Sequence, residues 1–307
     1  MAPSTSTKST QIAIAPADAI AYVDEAGAKG RSRNLLPSRD DEIALVAAVV
    51  VHITKDASVR QEMTPWFEKF LRATPPDKKP HFADAFAPGQ EAWAEVAREV
   101  RSRFFMIARE NRLAVVYHAR RLRLEREARD EAARVVEAAQ EGQRSRVEVN
   151  IPSGSPRVED ELLSGLALKL DAFAEDSSTR RIDLLCDNLD KGVARAYRRA
   201  IDETRSMSCS SRQATEFDRA TNTVQRSRLD ITFSAGFELD TQFLGDLGVA
   251  GKSEPFVLLA DSIANSLHGH LRTLPVDARL NAPSSISDWP LARNVYGVRE
   301  DANEDDF

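Results

Sequence analysis

Three acids stand where a folded chain ordinarily keeps apolar side chains. Asp24 closes the run Ala19–Asp24 (AIAYVD), with Glu25 beside it; Asp187 follows Ile182–Cys186 (IDLLC); Asp261 lies inside LLADSIANSL. A carboxylate at the end of a buried element is costly unless it reaches water, a partner or a cation. Ligand sites in open α/β sheets gather at the carboxyl ends of strands. If the strands ending at Asp24 and Asp187 are parallel neighbours, these acids emerge side by side, and a helix packed across that edge brings Asp261 to them. Clustered carboxylates repel one another. A divalent cation removes that repulsion, and Mg²⁺ prefers oxygen ligands with several retained waters. Two such ions can activate a water and stabilise a leaving oxygen in phosphodiester cleavage. Taken singly, each acid is better explained as a helix cap or a solvent-facing strand end.

His81, in KKPHFADAF, has the chemistry to orient an attacking water or contact a phosphate. The competing role is a loop histidine bonded to backbone. Asn265 and His268 follow Asp261 by four and seven residues, a spacing that puts all three on one helix face. Neither HExxH nor a Cys/His spacing supports zinc. Two cysteines, Cys186 and Cys209, exclude a disulfide scaffold and fit a reducing compartment.

The chain of 307 residues carries a net charge of −6, yet 33 of its 42 basic residues are Arg. Arg grips phosphates and carboxylates through a planar fork; codon bias produces the same excess. Residues 98–146 hold 13 Arg against 8 acids, a local excess of +5. Arg120, Arg121 and Arg123 form its densest patch, and Arg195, Arg198 and Arg199 form another just past Asp187. Both are candidate contacts to a nucleic-acid backbone, the alternative being a salt-bridged, solvated helix face.

The elements that must position these groups alternate. Ala19–Asp24 and IALVAAVVVHI read as strands buried on both faces. Ser58–Leu71 reads as a helix stopped by Pro75, Pro76 and Pro80, and KKPHFADAF as a loop or very short strand. A helix over Glu91–Arg109 and a strand over Leu113–His118 follow. Leu122–Gly142 reads as a charged helix, and Arg146–Ser155 as polar. Glu161–Ala174 is an amphipathic helix, Ile182–Cys186 a strand and Val193–Thr204 a helix. Residues 205–226 read as a loop, Leu229–Phe233 as a strand and Phe256–Leu271 as the last helix. This pattern predicts an α/β domain over residues 17–275, a sheet covered by helices on both faces with a helical insertion at about 122–157. Residues 1–16 read as a flexible tail, and 276–307 as an extension ending in the acidic, disordered EDANEDDF. The longest apolar run, Ile43–Val51, is far short of the roughly 20 residues of a membrane span. The N-terminus lacks a signal-peptide pattern, so a cytoplasmic protein is expected.

AYVDEAG near the start, IDLLCDN in the middle and LLADSIA near the end form an ordered set over about residues 18–272. This set resembles the bacterial and archaeal family called domain of unknown function 3800. The resemblance implies an RNase H-like mixed sheet and a Mg²⁺- or Mn²⁺-dependent nuclease, with metal held by Asp24, Asp187 and Asp261. Glu25 would be an additional ligand, and His81 would stand at a basic position of a short Glu-x-(Lys or His) segment. A part in defence against mobile elements or phage is implied with it. The chain departs from the pattern at Ala26, usually Ser; at Leu258, usually Gln; and at Lys79, usually Glu. Those departures motivate a second expectation, a catalytically degenerate binding or assembly protein acting through residues 122–157. A phosphotransferase is disfavoured, because Asp24-Glu25-Ala26-Gly27 lacks the hydroxyl of a phosphate loop and the chain has no GxxxxGK(S/T).

Overall fold

The computed structural model describes residues 17–27, 42–123, 147–150, 158–187, 198, 201, 209–218, 221–232, 242–250 and 254–297. Its centre is β2 (Ile43–His52), a strand with nine consecutive buried residues. Alternate side chains serve two different cores. Leu45, Ala47 and Val49 face one, while Ala44, Val46 and Ala48 face the other. That is why the run is continuously apolar rather than alternating.

β1 (Ala19–Gly27) and β3 (Ala114–Arg121) flank β2, both antiparallel to it. β5 (Ile182–Cys186) runs parallel to β1, and β8 (Leu244–Val249) parallel to β5. The order is β3-β2-β1-β5-β8, an open mixed sheet in an α/β fold. One face carries α1 (Ile53–Ala73), the four-residue α2 (Phe82–Ala85), α3 (Glu91–Glu110) and the last helix α5 (Pro255–Leu271). The other face carries α4 (Val158–Asp176). β4 (Val147–Asn150), β6 (Cys209–Asp218) and β7 (Thr223–Thr232) form a separate antiparallel sheet in the order β4-β6-β7.

Several expectations are corrected. The segment 205–226, read as a loop, contains β6 and the start of β7, whose polar side chains gave no strand signal. The strand β8 (LGDLGV), absent from the sequence reading, is held by parallel pairing to β5. α1 begins five residues before its expected start, because His52 caps it by accepting the Thr54 N–H. KKPHFADAF holds a short helix rather than a strand. The 276–297 stretch is no appendage. Leu280, Ile286, Trp289, Leu291 and Val295 are buried in the α1–α3–α5 core. Val295 bridges Val115, and the Asn281 side-chain amide pairs with both backbone groups of Ala119. This segment covers the outer edge of β3, a row of backbone groups that a sheet edge otherwise exposes. The expected charged helix lies outside the described residues beyond Arg123. Of Val193–Thr204, Arg198 and Ile201 are described, both helical.

α5 is buried almost all round, beneath β1 and β2 and behind the other helices. Its entry is held by Glu254, which accepts the Phe256 N–H and pairs with Arg60 of α1 at 2.5 Å. No helix among the described residues is long and apolar enough to cross a membrane.

Candidate active site

Strand alternation aims Asp24 at α5. Tyr22, two residues earlier, packs in the core that contains α5, whereas Val23 packs in the core of α4. The last pair between β1 and β5 is Val23 with Cys186, so Asp24 and Asp187 are the next residues of two adjacent parallel strands. Asp261, on α5, is only 4% exposed. Its Oδ2 accepts the backbone N–H of Phe82 at 2.8 Å, and its Oδ1 lies 3.3 Å from His81 Nε2.

Asp24, His81 and Asp261 each offer a ligand atom, and these atoms all lie within 4.8 Å of one another. Asp24 is half-buried as a residue, but its Oδ2 is shut off from solvent and has no hydrogen-bond partner among the described residues. Burial holds its carboxyl well above the usual carboxylate range; the neighbouring Asp261 charge adds to this, and His81 and the Glu25 backbone N–H oppose it. Asp187 shares a small cleft with Asp261, Pro80, Val257 and Leu258. The thiol of Cys186 registers the same surroundings: burial first, then Asp24, Glu25 and Asp187, push it up.

His81 is held at both nitrogens. Its Nδ1 accepts the Ala83 N–H and so caps α2. A neutral ring with an accepting Nδ1 carries its proton on Nε2, which then faces Asp261 as a donor. Ligation of a cation by Nε2 would require the other tautomer and loss of that cap. The two carboxylates are therefore the better oxygen donors, with His81 their hydrogen-bonding neighbour.

The polar face expected on α5 is present, with a different partner for each residue. Asp261 meets α2. Asn265 Oδ1 accepts from Arg101 Nη2 at 2.7 Å. His268 Nε2 lies 3.1 Å from the Ile43 carbonyl oxygen, away from the acids. Gly27 closes β1 at φ +90°, and a Cβ there would run into that carbonyl and the His268 ring. Gly27 thus has a steric reason in the AYVDEAG run.

Other candidates fall elsewhere. By alternation, Glu25 points to the α4 face, opposite Asp24. Arg121 is 4% exposed, and its Nη2 donates to the carbonyls of Leu274 and Pro275, so it is not free to track a phosphate backbone. Arg120 turns toward α4, with Nε 3.3 Å from His118 Nε2 and Nη1 3.9 Å from Glu161. Arg123 and Arg198 are exposed, and Arg195 and Arg199 lie outside the described residues.

The residue that sequence reasoning missed is Arg101. It sits on the buried stripe of α3 between Ala97, Val100, Phe104 and Ala108. A cation at that helical spacing was the available signal, hidden among the many arginines nearby. Its guanidinium lies over the rings of Phe86 and Phe82, at 4.3 and 5.3 Å from their centroids.

The chain matches no protein-family model, no curated protein and no solved structure.

Proposed function

We propose that this chain is a divalent-cation-dependent nuclease, hydrolysing phosphodiester bonds at a site built from Asp24, Asp261 and His81. The observation that carries the reading is Asp24, with an enclosed Oδ2 that has no hydrogen-bond partner among the described residues and a ligand atom within 4.8 Å of those of Asp261 and His81. Two carboxylates that share a buried site oppose each other's ionisation. Hard oxygen donors in that arrangement fit Mg²⁺ or Mn²⁺. Such a cation, when bound, activates water and neutralises charge on phosphoryl oxygens.

The chain's own groups have defined parts. Asp24 and Asp261 are the cation-holding carboxylates, and Asp187, across the neighbouring strand, is a third candidate donor. His81 donates its Nε2 hydrogen toward Asp261 and so orients that carboxylate, a positioning role that the neutral ring can fill. The Phe82 N–H locks the second oxygen of Asp261. A mixed sheet covered on both faces accords with the RNase H-like architecture that the motif resemblance implies, and the opening, middle and late motifs supply Asp24, Asp187 and Asp261. Action against mobile elements would follow from the same resemblance.

The test is cleavage of single- and double-stranded DNA and RNA with Mg²⁺, Mn²⁺ or chelator. Wild type is expected to cut at least one substrate only when metal is present, and Asp24→Asn to be slower by at least about 100-fold. Equal rates for the two proteins would overturn the reading.

A further inference from the structure

Arg101 is a cation with a carboxylate close by and no ion pair to it. Asp261 acts on it electrostatically, but its one hydrogen bond among the described residues goes to the neutral Asn265. Its Nε is enclosed and has no partner among the described residues. Burial draws its pKa down to about 10, which the Asp261 charge only partly offsets.

Two sets of contacts place the guanidinium. Asn265 stands four residues after Asp261 on α5, hence one turn along the same face. The rings of Phe82 and Phe86 lie beneath the guanidinium plane. Phe82 belongs to both halves of the arrangement, since its N–H binds Asp261 while its ring supports Arg101. A largely buried cation left without an ionic partner carries an uncompensated desolvation cost, which an anionic ligand would offset. Here the guanidinium bonds Asn265, one turn along α5 from Asp261, and its enclosed Nε has no partner among the described residues.

We propose that Arg101 is the anion-binding residue of this site, holding a non-bridging phosphate oxygen of the nucleic-acid backbone beside the Asp24–Asp261 pair, with Asn265 as its positioning residue. The proposal rests on the nuclease reading for its substrate. A planar fork suits a phosphate with two oxygens to offer. It also supplies positive charge beside clustered acids, as an anionic substrate requires.

The experiment uses the full chain in calorimetric titrations, first with Mn²⁺ alone and then with inorganic phosphate in the presence of Mn²⁺. Arg101→Met keeps most of the side-chain volume on the two rings. It is expected to weaken phosphate binding by roughly tenfold or more while leaving Mn²⁺ affinity within about twofold. Arg101→Lys should bind phosphate more tightly than Arg101→Met and less tightly than wild type, because an ammonium keeps the charge but loses the fork. Asn265→Asp gives the guanidinium a carboxylate partner without a change of shape, and should weaken phosphate binding by a similar factor. Unchanged phosphate affinity in Arg101→Met overturns the proposal. If Arg101→Met melts well below wild type, Asn265→Asp decides, and wild-type affinity there overturns it. If wild type binds no Mn²⁺, the metal reading fails separately. Phosphate titration without metal then tests Arg101, and equal or absent binding by wild type and Arg101→Met overturns it.

Discussion

The backbone N–H of Phe82 donates to Asp261 Oδ2 at 2.8 Å, joining a four-residue helix to the middle of α5. That bond ties the loop carrying His81 to the carboxylate it serves. Asp261→Asn keeps an oxygen for Phe82 and is expected to fold while losing Mn²⁺ binding. Asp261→Ala should lose both, with a stability drop of about 1–3 kcal/mol from the stranded N–H. Mn²⁺ calorimetry and thermal melts of the two variants separate the cation-holding role from the structural one.

Asp24 should make the metal-free fold less stable as pH rises. Its folded pKa lies above its unfolded value of 3.8, because burial and Asp261 disfavour the anion. Below the unfolded value both states are protonated and the group costs nothing. As pH climbs through the folded pKa the penalty becomes complete. Asp24→Asn is thus expected to raise the melting temperature at pH 8 without metal, and to show no advantage below about pH 4. Mn²⁺ should raise the melting temperature of wild type and not of the variant. A lower melting temperature for Asp24→Asn at pH 8 would contradict this account.

His81 caps α2 through Nδ1 and faces Asp261 through Nε2. Asparagine is also a good N-cap acceptor. His81→Asn should keep the fold and most of the Mn²⁺ affinity but cut nucleic acid slower by about 10–100-fold, because Asp261 loses the donor that orients it. If Mn²⁺ affinity collapsed instead, His81 would be a metal ligand through the other tautomer.

On the opposite face of the sheet, Lys169 donates to the Tyr117 carbonyl at 2.8 Å and to Asn281 Oδ1 at 3.3 Å. Burial draws its pKa down to about 8, from 10.5. Between those values the unfolded state binds the extra proton, so this group's contribution to stability rises with pH from about 8 to 10.5. Lys169→Met should stabilise the chain most below pH 8, by about 1–2 kcal/mol, and lose that advantage above pH 10.5. Denaturant unfolding of both proteins across this range measures it.

Trp289 is buried against α3, edge-on to Phe105, and donates from Nε1 to Ser266 of α5. A chain ending at residue 275 is therefore expected to aggregate or unfold, having lost this packing and the cover on β3. A chain ending at residue 297 keeps every contact described here and should melt close to wild type. Expression and melting of the two truncations test the domain boundary.

Much of the site was written locally. A strand buried on both faces needs a continuous apolar run, and IALVAAVVVHI is one. An acid directly after such a run marked Asp187, which follows the end of β5, whereas Asp24, expected to close β1, lies inside it because β1 runs on to Gly27 beside β2. Four- and seven-residue spacings put Asn265 and His268 on the face of Asp261, because helix periodicity is local geometry. The register of β1 against β5 was posed by the sequence as a condition, and the sheet satisfies it.

What local pattern could not carry was decided by contacts between distant segments. The polar strand β6 and the glycine-containing β8 exist through backbone pairing, which leaves little trace in side-chain type. Residues 276–297 joined the core because the edge of β3 needed covering, and their scattered apolar residues show no period. His81 and Arg101 acquired their surroundings from α5, more than 160 positions along the chain. Residue type and spacing therefore determined which acids belong at strand and helix positions facing a sheet end. Only tertiary packing decided that Asp24 would have an enclosed oxygen without a partner among the described residues, that His81 would face Asp261, and that Arg101 would bond Asn265. Burial, tautomer and charge separation depend on what the rest of the fold brings alongside.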